Sequence, residues 1–171
     1  MRNNNQIVIA CGAILLTAGI CVAQGETAKP AAGTAKYFHL EFVVKELDGG
    51  KVTNARHYTT TIVTGDHRCT IRSGNKVPLQ TGGTSGLTYV EVGVNIDGSG
   101  AKEIDGNLAL DISAEISNVA AAANPPLIRQ TKWNSNVLVP IGKPTVIASS
   151  DDVASKGQMQ LELTATPIPA H

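Results

Sequence analysis

From Tyr37 to Glu46 every second side chain is apolar. Phe38, Leu40, Phe42 and Val44 share one face, and His39, Glu41 and Lys45 share the other. A period of two fits a half-buried strand and excludes an amphipathic helix, whose apolar positions recur every three or four residues. The pattern returns along the chain. It sets Val90, Val92, Val94 and Ile96 on one face of Thr88–Asp97, and Leu108, Leu110, Ile112, Ala114 and Ile116 on one face of a second strand. Ile128–Val139 and Met159–Thr166 alternate in the same way. No stretch after residue 36 carries a long helical period.

Turn chemistry separates these runs. Asp48-Gly49-Gly50 supplies residues that accept positive φ, as a tight hairpin demands, and Val52–Val63 is the return strand. Gly65-Asp66, Ser73-Gly74-Asn75, Asp97-Gly98-Ser99-Gly100, Asp105-Gly106-Asn107 and Pro140–Pro144 read as further turns. Arg68–Ile71 and Lys76–Leu79 are then two short strands, with Pro78 at an edge. Gln80–Gly86, Asn118–Pro126 and Asp151–Gly157 read as loops. The expected fold is all-β: an antiparallel β-sandwich or open barrel of about eight strands, with sequence neighbours paired.

The chain opens with a different signal. Met1-Arg2 is basic, Ile7–Val22 is apolar and uncharged, and Cys21-Val22-Ala23 places small residues for a peptidase. Residues 1–23 read as a cleavable export signal. Gly12, Gly19 and the lack of a basic cluster after Ala23 argue against a retained membrane anchor, and the bulk of Ile20 argues against lipidation at Cys21. Residues 24–36, rich in Ala, Gly, Thr and Lys, read as a flexible leader to one domain over 37–168. Cleavage leaves 148 of the 171 residues, with 13 basic against 14 acidic side chains. That balance points away from nucleic acid.

Cleavage also leaves Cys69 as the one cysteine, so no intrachain disulfide forms. Within Arg68–Arg72 it reads as a small buried strand residue, the alternative being an intermolecular disulfide or a reactive thiol. His67 is close in sequence, but no third group stands ready to orient a base. His39, His57, His67 and His171 are scattered without metal-ligand spacing. Asn95–Gly100 lacks the ligand ladder of a calcium loop. Asp151-Asp152 reads as a solvated loop, and Ser149-Ser150 has neither a base nor a nucleophile elbow. The sequence nominates no catalytic, cofactor-binding or metal residue, and the expectation is a protein that is not an enzyme and takes no cofactor. Trp133, Tyr37, Phe38 and Phe42 are expected in the core.

Four segments in order resemble the core domain of the secretins, the outer-membrane channel subunits of bacterial secretion and pilus systems. Arg68–Pro78 is similar to the family's apolar strand, glycine turn and Val-Pro. Tyr89-Val90-Glu91-Val92-Gly93-Val94-Asn95-Ile96 is similar to its tyrosine-to-Val-Gly strand. Ile128–Thr131 through Val137–Ile147 resembles a strand, turn glycine and valine-rich strand, and Leu161–Ile168 resembles the closing strand with Thr-Pro. Ala148-Ser149-Ser150 stands where secretins have Gly-Gly-Leu, the next segment is shortened to Asp151–Gln158, and the ring-forming N-terminal modules are missing. The resemblance implies a structural or protein-interaction role at the bacterial envelope, in the periplasm or at the outer membrane. It implies self-association or contact with other envelope proteins by edge-strand pairing. The alternative is a small secreted ligand-binding sandwich working through loops 80–86 and 118–126.

Overall fold

A computed structural model describes residues 35–80, 86–120, 127–151 and 157–169, all within the compact unit Gly33–His171. The expected signal, the leader up to residue 34, most of loop 80–86, segment 121–126, Asp152 and His171 lie outside the described residues.

The described residues are all-β, in eight strands: β1 Tyr37–Asp48, β2 Lys51–Val63, β3 Arg68–Gln80, β4 Leu87–Ile104, β5 Asn107–Ala120, β6 Leu127–Pro140, β7 Thr145–Asp151 and β8 Gly157–Ile168. They form two antiparallel sheets, β2-β1-β8-β7 and β3-β4-β5-β6. Every pairing but β1 with β8 joins sequence neighbours. The tightest hairpins turn where residues tolerate positive φ: Gly49 and Gly50 at +57° and +82°, Asp105 and Gly106 at +48° and +76°.

The alternation seen in the sequence builds the core. Phe38, Leu40, Phe42 and Val44 of β1 and Leu161, Leu163 and Ala165 of β8 are buried. They join one core with Val94 and Ile96 of β4 and with Leu108, Leu110, Ile112, Ala114 and Ile116 of β5. Burying each large side chain contributes about 1.5–3 kcal/mol. The sheets share no ladder among the described residues, so the barrel is not closed. Single backbone bonds stitch the seams: Gly65 N–H donates to the Ala101 carbonyl, and Gly142 N–H to the Ala165 carbonyl, both at 2.8 Å.

Several expectations are corrected. Ser73-Gly74-Asn75 is not a turn, because β3 runs unbroken from Arg68 to Gln80. Gly74 lies opposite Gly93, and a Cβ at Gly74 would sit 2.3 Å from the Val92 carbonyl oxygen. That glycine serves close strand approach. Asp97–Gly100 lies inside β4, where the ladder to β5 shifts register between Ser99 and Lys102. Gly98 is small because the Cys69 sulfur fills its side-chain space, 2.8 Å from where a Cβ would stand. Asn118 to Ala120 continue β5. Phe38 and Phe42 are core residues and Trp133 packs against the core half-buried, but Tyr37 is 54% exposed.

Candidate functional site

The side chains best suited to chemistry are kept apart. His57 Nδ1 meets Glu41 Oε1 at 2.9 Å on the outer face of β1 and β2. His39 lies on the same face opposite Thr61 and Thr166, and His67 is exposed in the connection before β3. Among the described residues no three His, Cys, Asp or Glu side chains gather as metal ligands. Asp151 accepts a hydrogen bond from Gln158 Nε2 at 3.1 Å. Cys69 is buried beside Gly98, and burial pushes its thiol above the ordinary value, which suppresses the thiolate.

The outward faces are polar. On the second sheet, cross-strand rows run Thr70–Asp97–Ser113–Asn134 and Arg72–Asn95–Glu115–Lys132. Arg72 grips both oxygens of Asp97 at 2.7 and 2.9 Å. Lys132 pairs with Glu115 at 2.9 Å, and its hydrogen bond holds that carboxyl below the usual range. Lys45 and Glu162 pair on the first sheet at 2.7 Å. These are exposed or half-exposed pairs, and they decorate the sheets more than they stabilise them.

Backbone geometry is the more distinctive feature. Among the described residues four edge strands, β2, β7, β3 and β6, have no ladder on one side of their backbone. A short edge, a bulge or a proline blunts such a template. β7 has seven residues and a register shift. β3 carries Pro78, whose missing N–H falls on the free side. β6 has 14 residues and keeps one register against β5 from end to end. Its proline, Pro140, is its last residue.

The second sheet also divides. The β4–β5 ladder begins at Val94–Ile116, while β4 continues to Leu87 and β5 to Ala120. Beyond that row, among the described residues, β4 pairs only with β3 and β5 only with β6, so two arms leave the sheet. At the fork Gly93 has a φ of +151° and donates its N–H to Ser117 Oγ at 3.0 Å. Ser117 is 6% exposed and the one buried polar residue among those described.

A cavity of about 540 Å³ opens between the sheets at the arm end. Leu47, Ile116 and Met159 give it apolar surface; Glu46, Asn118, Arg129 and Asp151 give it polar walls. Glu46 is engaged by Arg56.

Two solved structures share this architecture. The type II secretin GspD of enteropathogenic Escherichia coli matches over 80% of this chain and 66% of its own, with 11% identity and a TM-score of 0.50. A chain of the Klebsiella pneumoniae type II secretion system outer membrane complex of PulD, PulS and the PulC HR domain matches over 80% and 39%, with 14% identity and a TM-score of 0.51. The fold is secretin-like. The present chain thus spans about two thirds or less of those secretin-complex chains. No protein-family model and no curated protein matches it.

The sequence named no functional residue, and among the described residues the histidines and carboxylates it weighed do not converge. What it missed is the fork. Gly74 and Gly93 are seen as a pair only once the register is known, and Ser117 looks like any strand serine.

Proposed function

We infer that this chain is an exported, non-catalytic β-module of the bacterial envelope that assembles with copies of itself through the edges of its second sheet. In this reading residues 1–23 are removed on export and 24–36 tether a single domain over 37–168. The observation that carries it is the pair of free edges β3 and β6 on one sheet, running in opposite directions, with Pro78 near one end of β3 leaving residues 68–77 of that edge without a proline. A neighbour's β3 beside β6 continues the antiparallel order. Such a head-to-tail contact closes into a ring or grows as a filament. The secretin-like fold supports the same reading, because secretins are envelope channel proteins built as assemblies.

The test is the mass of the exported chain by light scattering, beside the variant Asn134→Pro. Asn134 pairs with Ser113, and the strand's alternation turns its N–H to the free side of β6. The variant is expected to leave the melting curve alone and abolish the large particle. A parent chain that is monomeric at all concentrations sinks the assembly reading. The cavity favours a second reading, a ligand-binding sandwich, since its volume lies in the usual range for small-molecule sites. That reading requires the monomer.

A further inference from the structure

The fork creates an edge inside the sheet. We propose that the free edge of β4, over Leu87–Glu91, pairs in antiparallel register with the same edge of a second copy. This contact is separate from the β3–β6 contact and does not depend on it.

The argument starts from strand alternation. Along an antiparallel strand, N–H and C=O of one residue point to the same side, and successive residues point to opposite sides. Gly93 directs both groups at Ser117 on β5. Positions 87, 89 and 91 therefore face the split, and positions 88, 90 and 92 face β3, where they pair with Leu79, Val77 and Asn75. The position of Pro78 agrees. Its partner Tyr89 faces away from β3, so proline's missing N–H interrupts no ladder bond.

An edge of this kind is self-complementary. Centred on Tyr89, an antiparallel match sets position 89 against 89 of the second copy and position 91 against 87. Every position facing the split then exchanges backbone bonds. No charge meets a like charge, because Glu91 falls opposite a leucine position and is already paired with Lys76 at 3.6 Å. Tyr89 is 61% exposed, the most exposed large apolar side chain among the described residues. Across the two-fold axis it covers its own counterpart, and aromatic cross-strand pairs are favourable. The contact is isologous and closed, so it makes dimers and stops. Its short length makes it weak and concentration-dependent.

The register gives a sharp test on the full chain, purified as its host processes it. Residues opposed in a hydrogen-bonded pair have Cα atoms about 5.5 Å apart, inside the range of about 4.4–6.8 Å that a disulfide spans. Tyr89→Cys is expected to give a covalent dimer under mild oxidation. Glu91→Cys places its two sulfurs' Cα atoms about 14 Å apart, and its yield is expected to be at least tenfold lower. Equal yields, or no dimer from Tyr89→Cys, overturn the proposal. Glu91→Pro removes an N–H that faces the split. Added to Tyr89→Cys, it is expected to cut the dimer tenfold with an unchanged melting curve. A lowered melting temperature would mean that this chain's own backbone fills the split, and would overturn the proposal too. Asn134→Pro leaves the Tyr89→Cys dimer intact, so the two contacts fail separately.

Discussion

Ser117 takes the place of a strand partner for Gly93. Its Oγ accepts the Gly93 N–H at 3.0 Å and donates to the Gly93 carbonyl at 3.5 Å. One hydroxyl thus ends the β4–β5 ladder and satisfies both backbone groups where the arms part. Ser117→Ala strands those groups, at a cost of about 1–2 kcal/mol. The loss is expected in the denaturant midpoint, and amide exchange should quicken first at Gly93. An exchange rate at Gly93 equal to the parent's would show that a water or another group carries the bond.

Gly98 and Cys69 form a second interlocked pair. A Cβ at Gly98 would stand 2.8 Å from the Cys69 sulfur and 3.5 Å from Ile112 Cδ1. Gly98→Ala is therefore expected to destabilise by about 1–3 kcal/mol, the range for overpacking. Cys69→Ala removes the sulfur and makes the room. The double variant should lose at least about 0.5 kcal/mol less than the sum of the single losses. Strict additivity would place the strain elsewhere.

Burial raises the Cys69 thiol above its ordinary value of 9.0, and the sign of its effect on stability follows. The native state holds the proton more tightly than the unfolded chain. The thiol's contribution is complete below pH 9 and is lost as pH rises through the native value. Unfolding midpoints should thus fall more steeply above pH 9 for the parent than for Cys69→Ala. Parallel pH profiles for the two proteins would refute the assignment.

How far the fold was legible in the sequence depends on the residue. Phe38, Leu40, Phe42 and Val44 declared themselves because one face is buried along the whole run. Gly49-Gly50 and Asp105-Gly106 declared themselves because a two-residue hairpin needs positive φ. Gly74 and Gly98 misled for the same reason: glycine also stands where another atom needs the space, and here that atom belongs to Val92 or Cys69. Such neighbours are far apart in sequence, and the register alone brings them together. The fork is hidden more deeply, since Val90 and Val92 continue the apolar alternation of Val94 and Ile96 without a break.

That continuity sets up the most direct test of the arm. The alternation alone ranks Val92 with the core valines, yet it is half-buried, whereas Ile96, two rows below the fork, is 1% exposed. Val92 pairs with Asn75 on β3 and, among the described residues, has no ladder on its other side. Ile96→Asp forces a carboxylate into the core without a partner, at a cost of several kcal/mol out of a total of about 5–15. It is expected to abolish the cooperative melting transition. Val92→Asp disturbs an arm whose opening leaves the core intact, so the transition should survive within a few degrees while proteolysis between β3 and β4 quickens. Were Val92→Asp to unfold the domain as Ile96→Asp does, the arm would be part of the cooperative core and the fork would not exist in solution.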